Sequence, residues 1–149
     1  MKSLSSRFLW VVAAALTSSL VQAEPPEWSS SPDHHIVIKT LPGQMKYDLT
    51  EFEVEPGDRV KLTLDNVDDL QHNLVLLQIE KDDPMGIQFA TEVWMMGEEG
   101  MKKSWVPDDH PRIMVASRLL DPEQAQEIYF EAPEKTGSYP YVCTVPGHA

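Results

Sequence analysis

Residues 54–65 read Val-Glu-Pro-Gly-Asp-Arg-Val-Lys-Leu-Thr-Leu-Asp. Pro56-Gly57-Asp58 is turn chemistry. After it Val60, Leu62 and Leu64 alternate with Arg59, Lys61, Thr63 and Asp65, the period-2 pattern of a half-buried strand. The same pattern lies upstream, where Phe52 and Val54 alternate with Glu51, Glu53 and Glu55. His35–Thr40 is β-branched, Leu41-Pro42-Gly43 is a turn, and Met45–Asp48 is a further strand piece. Leu74–Ile79 is a more continuous apolar run. Strands resume at Arg112–Ser117, Glu127–Glu131 and Ser138–Thr144, parted by Asp121-Pro122 and Lys135-Thr136-Gly137. Short strands at ~8–12-residue spacing with turns between them predict an all-β Greek-key sandwich or barrel. Residues 82–106 break the rhythm. Phe89, Val93, Met96 and Met101 recur at three- to five-residue steps, predicting short helices, with one over Ile87–Met96 and a turn at Gly97–Gly100.

The first 23 residues carry Lys2 and Arg7, no acid, an apolar run Phe8–Leu16, and Val21-Gln22-Ala23 before the first acid. That is an export signal cleaved after Ala23, and the apolar run is too short for a membrane span of ~20 residues. No cysteine follows the cleavage point to carry a lipid. Residues 24–33 are polar and proline-containing, and read as a loose leader before a domain at 34–149. The whole chain has 149 residues and a net charge of −12; without residues 1–23 the charge is −14. Such acidity argues against nucleic-acid and anionic-membrane partners. One cysteine excludes an internal disulfide and a zinc site built on cysteine pairs.

The chemistry gathers at the C-terminus, Cys143-Thr144-Val145-Pro146-Gly147-His148. A Pro-Gly bend between a cysteine and a histidine turns the imidazole back toward the thiolate. His72, at the start of an apolar strand, is the candidate third donor. Two imidazoles and a thiolate form the ligand set of blue copper. A Cys–His pair also suffices for acyl transfer in principle, but no Asn or Asp lies near it in sequence to orient the histidine. His34-His35 and His110 read as surface residues, and Met85, Met95, Met96 and Met101 as packing between the insertion and the sheets.

These motifs, with Tyr139-Pro140-Tyr141-Val142 before the cysteine and His72-Asn73 upstream, resemble the cupredoxins, most closely the azurin and auracyanin branch. Gly43-Gln44-Met45-Lys46-Tyr47, the 54–60 stretch, and Trp105-Val106-Pro107-Asp108-Asp109 through Ala116-Ser117-Arg118-Leu119-Leu120 resemble azurin segments in order. The resemblance implies one copper ion held by His72, Cys143 and His148, with the Gln71 carbonyl as a distant axial contact. It implies that Asn73 clamps the loop near Thr144, with Pro146 and Gly147 shaping it, and that residues 82–106 form a helical flap. The family usually adds an axial Met and a last strand after the second histidine. Here the sequence stops one residue after His148, so either it is a fragment of a longer gene product, which is the expectation, or the site lacks that Met.

The expected function is single-electron transfer by Cu(II)/Cu(I) cycling, without enzymatic turnover, in a periplasmic monomer with no membrane span. The expected partner is a redox protein such as a cytochrome or oxidoreductase. The alternatives are a periplasmic copper-binding or delivery protein, and the cupredoxin module of a larger redox assembly.

Overall fold

The computed structural model describes residues 24–79 and 81–148. The proposed export signal lies outside the described residues. Among the described residues seven strands form two sheets. The first holds β1 (His34–Leu41), β2 (Lys46–Tyr47), β3 (Arg59–Asp65) and β6 (Ala125–Glu131), in the order β2-β1-β3-β6. The second holds β4 (Val75–Leu77), β5 (Ile113–Ala116) and β7 (Tyr141–Val142), in the order β5-β4-β7. The expected two-sheet, mostly β architecture is therefore present. β1 runs parallel to β3, with His34 opposite Val60, while β6 runs antiparallel to β3. β4 is antiparallel to both neighbours and aligns Val75 with Val142.

The alternation in β3 translates directly into packing. Val60, Leu62 and Leu64 are buried, and the residues between them are half-buried. Leu62 and Leu64 join Ile38, Leu74, Leu120 and Ile128 in the core between the sheets. A second cluster, Val75, Leu77, Phe89, Val93 and Val142, seats helix α1 (Ile87–Met95) on the second sheet. The residues that lead into Cys143 therefore belong to a core shared with the insertion.

The insertion is helical, as expected, but Gly97–Gly100 is not a free turn. Glu98–Lys102 forms a second helix, α2, with Glu98 and Glu99 in its first turn and Lys102 in its last, a charge order that suits the helix dipole. At the start of α1, Asp83 accepts hydrogen bonds from the amides of Gln88 and Phe89 and pairs with Arg112 at 2.8 Å. Burial pushes the Asp83 carboxyl up. The Arg112 guanidinium and the two amides outweigh this and hold it below its ordinary value.

Two other expectations are revised. Phe52–Glu55 keeps its in-out alternation but joins no ladder. A cleft of about 960 Å³ is lined by Phe52, Val54, Phe130, Tyr139 and Tyr141 among others, and the Phe52 ring stacks on Tyr141 at 5.7 Å, a side-chain contact without a backbone ladder. The leader, read as loose, contains a 3-10 turn at Glu27–Ser30. Trp28 there meets Tyr129 edge-on at 5.8 Å, and Asp33 pairs with Arg59 at 2.9 Å.

Gly86 precedes α1 with φ +74°, and a Cβ there would lie 2.9 Å from Leu77 and 3.0 Å from Val142. Gly86→Ala should therefore combine left-handed strain with overpacking and destabilise the fold by about 2 kcal/mol or more. Gly43, φ +69°, has nothing within 4 Å of a built Cβ, so Gly43→Ala should cost only about 1 kcal/mol. Urea unfolding midpoints of the two variants check this difference.

Candidate metal centre

His72 enters the site from the loop between β3 and β4, and this loop is built on a buried polar network. The Thr40 hydroxyl donates to Asn66 Oδ1 (2.9 Å) and accepts from the amides of Val67 and Asp68. Asn66 Nδ2 donates to the carbonyls of Leu70 and Leu120. His72 then forms a bridge with Leu120, each amide donating to the other's carbonyl. The imidazole is 1% exposed, so its orientation is set from all sides.

Cys143 follows β7 and is buried; His148 returns to it through a tight turn. The His148 amide donates to the Val145 carbonyl at 3.1 Å. Pro146 and Gly147, with φ +87° at the glycine, occupy the corner, the sequence order a type II turn requires. Pro146 and Gly147 are exposed and His148 is half-buried.

Three donor atoms converge. Cys143 Sγ lies 3.8 Å from His72 Nδ1 and 3.5 Å from His148 Nδ1, and the two Nδ1 atoms are 3.2 Å apart. The centre of a triangle with these sides is about 2 Å from each corner, the length of an imidazole–metal bond. No other group of three or more His, Cys, Asp or Glu donors comes together in this way among the described residues. Electrostatics also suit a metal. Burial, followed by the neighbouring His72, pushes the His148 imidazole below its ordinary value, so its lone pair is available at neutral pH. Burial pushes the Cys143 thiol up. The amides of Asn73 and Val145 and the Tyr47 hydroxyl face the sulfur and pull the other way.

The two halves of the site are tied by Asn73. Its Oδ1 accepts from the Thr144 amide (2.9 Å), and its Nδ2 donates to Thr144 Oγ1 (2.9 Å) and to the Ser104 carbonyl (3.2 Å). Asn73 and Thr144 are thus joined by a reciprocal pair of bonds. The insertion reaches the same residues, which sequence reading did not anticipate. The Thr144 hydroxyl donates to the Trp105 carbonyl, and Trp94 Nε1 donates to the Thr144 carbonyl at 3.0 Å. Ser104 and Trp105 both have positive φ, 56° and 61°. Non-glycine residues hold this conformation only where their surroundings enforce it. Here both carbonyls are turned onto the clamp.

A second residue was missed. Asp68 is 2% exposed, and its Oδ2 lies 2.9 Å from His72 Nε2. The Gly43 amide, then the His72 ring, hold its carboxyl below the ordinary value. In sequence Asp68 is one of two adjacent acids in a turn-rich loop, and nothing there separates it from exposed Asp69. Gln71 sits beside His72 in the chain, but its side chain is exposed and donates to Asp121 at 2.6 Å. His34 pairs with Asp58 at 2.7 Å, His35 meets Thr63, and His110 packs on Phe89, all apart from the cluster.

Fold and donor set together define a β-sandwich protein in which one sulfur and two imidazole nitrogens are grouped as possible ligands of a metal ion. The family model for copper binding proteins of the plastocyanin/azurin family matches residues 34–149, and the chain belongs to that family. It is 30% identical over 106 residues to auracyanin-A of Chloroflexus aurantiacus, covering 70% of this chain. It spans 62% of that relative's length. Among solved structures, the dithionite-reduced auracyanin of Roseiflexus castenholzii superposes with a TM-score of 0.66 at 29% identity, over 76% of this chain and 86% of that one. Auracyanin A from Chloroflexus aurantiacus, described as a "blue" copper protein, gives 0.66 at 28%, over 77% and 89%. An azurin of Methylomonas sp. strain J gives 0.61 at 16%, over 78% and 90%, a likeness of fold. The cofactor is copper.

Replacing Asn73 by alanine strands the Thr144 amide and the Ser104 carbonyl. With ~1–3 kcal/mol for each buried group left unsatisfied, the loss should exceed that of a typical single bond. Asn73→Ala should lower the thermal midpoint, speed hydrogen exchange at the Thr144 amide and loosen the Cys143–His148 loop, shifting the midpoint potential of the copper-loaded protein.

Proposed function

We propose that this protein is an exported carrier of single electrons, with His72, Cys143 and His148 holding one copper ion. The supporting observation is the triangle of Sγ and two Nδ1 atoms with sides of 3.2–3.8 Å. When bound there, copper supplies a one-electron couple between Cu(II) and Cu(I). A soft thiolate suits Cu(I) and imidazole suits Cu(II), so one donor set serves both states. The chain's part is to keep that set from rearranging. Buried His72, buried Cys143 and the Asn73–Thr144 clamp all act to this end. Rigid walls of this kind favour repeated electron exchange over release of the ion, which is why delivery of copper is the weaker reading.

His148 is the half-buried member of the triangle and the natural point of electron exit. Exposed Pro146 and Gly147 flank it on its own loop. Exposed Met45, Val67 and Leu70 stand on or beside the two loops joined by the Gly43–Asp68 bond at the His72 end of the sandwich. This apolar rim would meet a redox partner transiently. The acidic chain favours a basic partner surface, and on-rates with such a partner should fall as salt rises.

Copper-loaded protein should be intensely blue or green, bleach on reduction and recover on oxidation, and Cys143→Ser should lose the colour while staying folded. A Cys143→Ser protein that keeps the intense band would sink the ligand assignment. Because burial keeps the free thiol protonated near neutrality, Cu(II) should displace one proton on binding. Its apparent affinity should then fall about tenfold from pH 8 to pH 7, measured by competition with a chelator of known pH dependence.

A further inference from the structure

We propose that Asp68 is a charged positioning residue for His72, and that its buried carboxylate biases the copper centre toward the oxidised state. This rests on the ligand set proposed above. Asp68 is built into the loop. Its Oδ1 accepts from the amides of Gly43 (2.9 Å) and Asp69 (2.8 Å), and its own amide donates to Thr40 Oγ1 (3.0 Å). That leaves Oδ2 for the His72 ring at 2.9 Å. Among the described residues no lysine or arginine forms an ion pair with Asp68; its one partner of that kind is His72.

Two consequences follow. The first concerns the tautomer. A carboxylate accepts only, so His72 must carry its proton on Nε2 and present a bare Nδ1, the atom 3.8 Å from Cys143 Sγ. The second concerns charge. With one thiolate, two neutral imidazoles and Asp68, the centre is electrically balanced when the ion is Cu(II). It carries one uncompensated negative charge when the ion is Cu(I). Both Asp68 and His72 are at most 2% exposed, so water screens that charge poorly. The carboxylate also makes the imidazole a stronger donor, which favours the higher metal charge. Both effects lower the reduction potential. Reduction of this protein then calls for a donor more reducing than the same centre would need without Asp68.

The test is potentiometry of the copper-loaded chain and three variants. Asp68→Asn removes the charge. It should lower the Cu(II)/Cu(I) ratio at fixed ambient potential at least tenfold, a rise of 59 mV or more in midpoint for one electron. Asp68→Glu keeps the charge and should fall nearer to wild type. Asp69→Asn removes an exposed charge from the next residue of the same loop and leaves the Asp68–His72 contact in place. It should change the ratio less than twofold, about 18 mV. The inference is overturned if Asp68→Asn shifts the ratio less than twofold, or if Asp69→Asn shifts it equally far. Should Asp68→Asn fail to fold, proton NMR of the reduced wild type decides. A His72 Nε2–H that is far downfield and protected from exchange supports the bond to Asp68, and one that exchanges freely overturns it. A blue wild type with an unmoved midpoint defeats the role of Asp68 alone. A wild type without the blue band defeats the ligand set, and this inference with it.

Discussion

A thiol and two neutral imidazoles have little attraction for one another, yet here they are held with donor atoms 3.2–3.8 Å apart. Something else must force them together, and that constraint organises the molecule. His72 and Cys143 are 71 positions apart in the chain and are joined through the next residue of each, Asn73 and Thr144. Asn73 uses its oxygen and its nitrogen on Thr144, so the two strands that lead from the site, β4 and β7, share a register as well as a bond. The sheets supply the rigidity behind this bond, and the turn at Pro146-Gly147 supplies the short return that brings in His148.

The same constraint explains the position of the insertion. Residues 82–106 could have been a mere excursion between strands. Instead α1 packs Phe89 and Val93 against Val75 and Val142, directly below the clamp. Trp94, Ser104 and Trp105 then bond to Thr144 or Asn73. Gly100 has no side chain, and the Trp105 ring lies against it; a Cβ there would sit 2.9 Å from that ring. The insertion thus closes one side of the site, while the half-buried His148 leaves the other side in reach of solvent.

Much of this was legible in the sequence, for identifiable reasons. Alternation in β3 is a local signal, and burial follows it residue by residue. The Cys143–His148 loop is compact enough to read directly. His72 was found because Asn73 follows it and an apolar strand comes next. Other features depend on tertiary partners and had no local signal. Phe52–Glu55 has a strand's alternation, but among the described residues it pairs with no strand and meets Tyr141 only through the Phe52 ring. Asp68 and Asp69 are indistinguishable in sequence; only the path of the loop buries one beside His72. The carbonyls of Ser104 and Trp105 matter through backbone conformation, which side-chain patterns do not report. The leader is held by Trp28 on Tyr129 and by Asp33 on Arg59, contacts that its composition did not foretell.

Copper held by His72 Nδ1, Cys143 Sγ and His148 Nδ1 would be visible to X-ray absorption at the copper edge of the loaded protein. Two imidazole nitrogens at about 2.0 Å and one sulfur at about 2.3 Å are expected, with little change on reduction. A shell of nitrogen and oxygen alone, without a short sulfur, would contradict this ligand set.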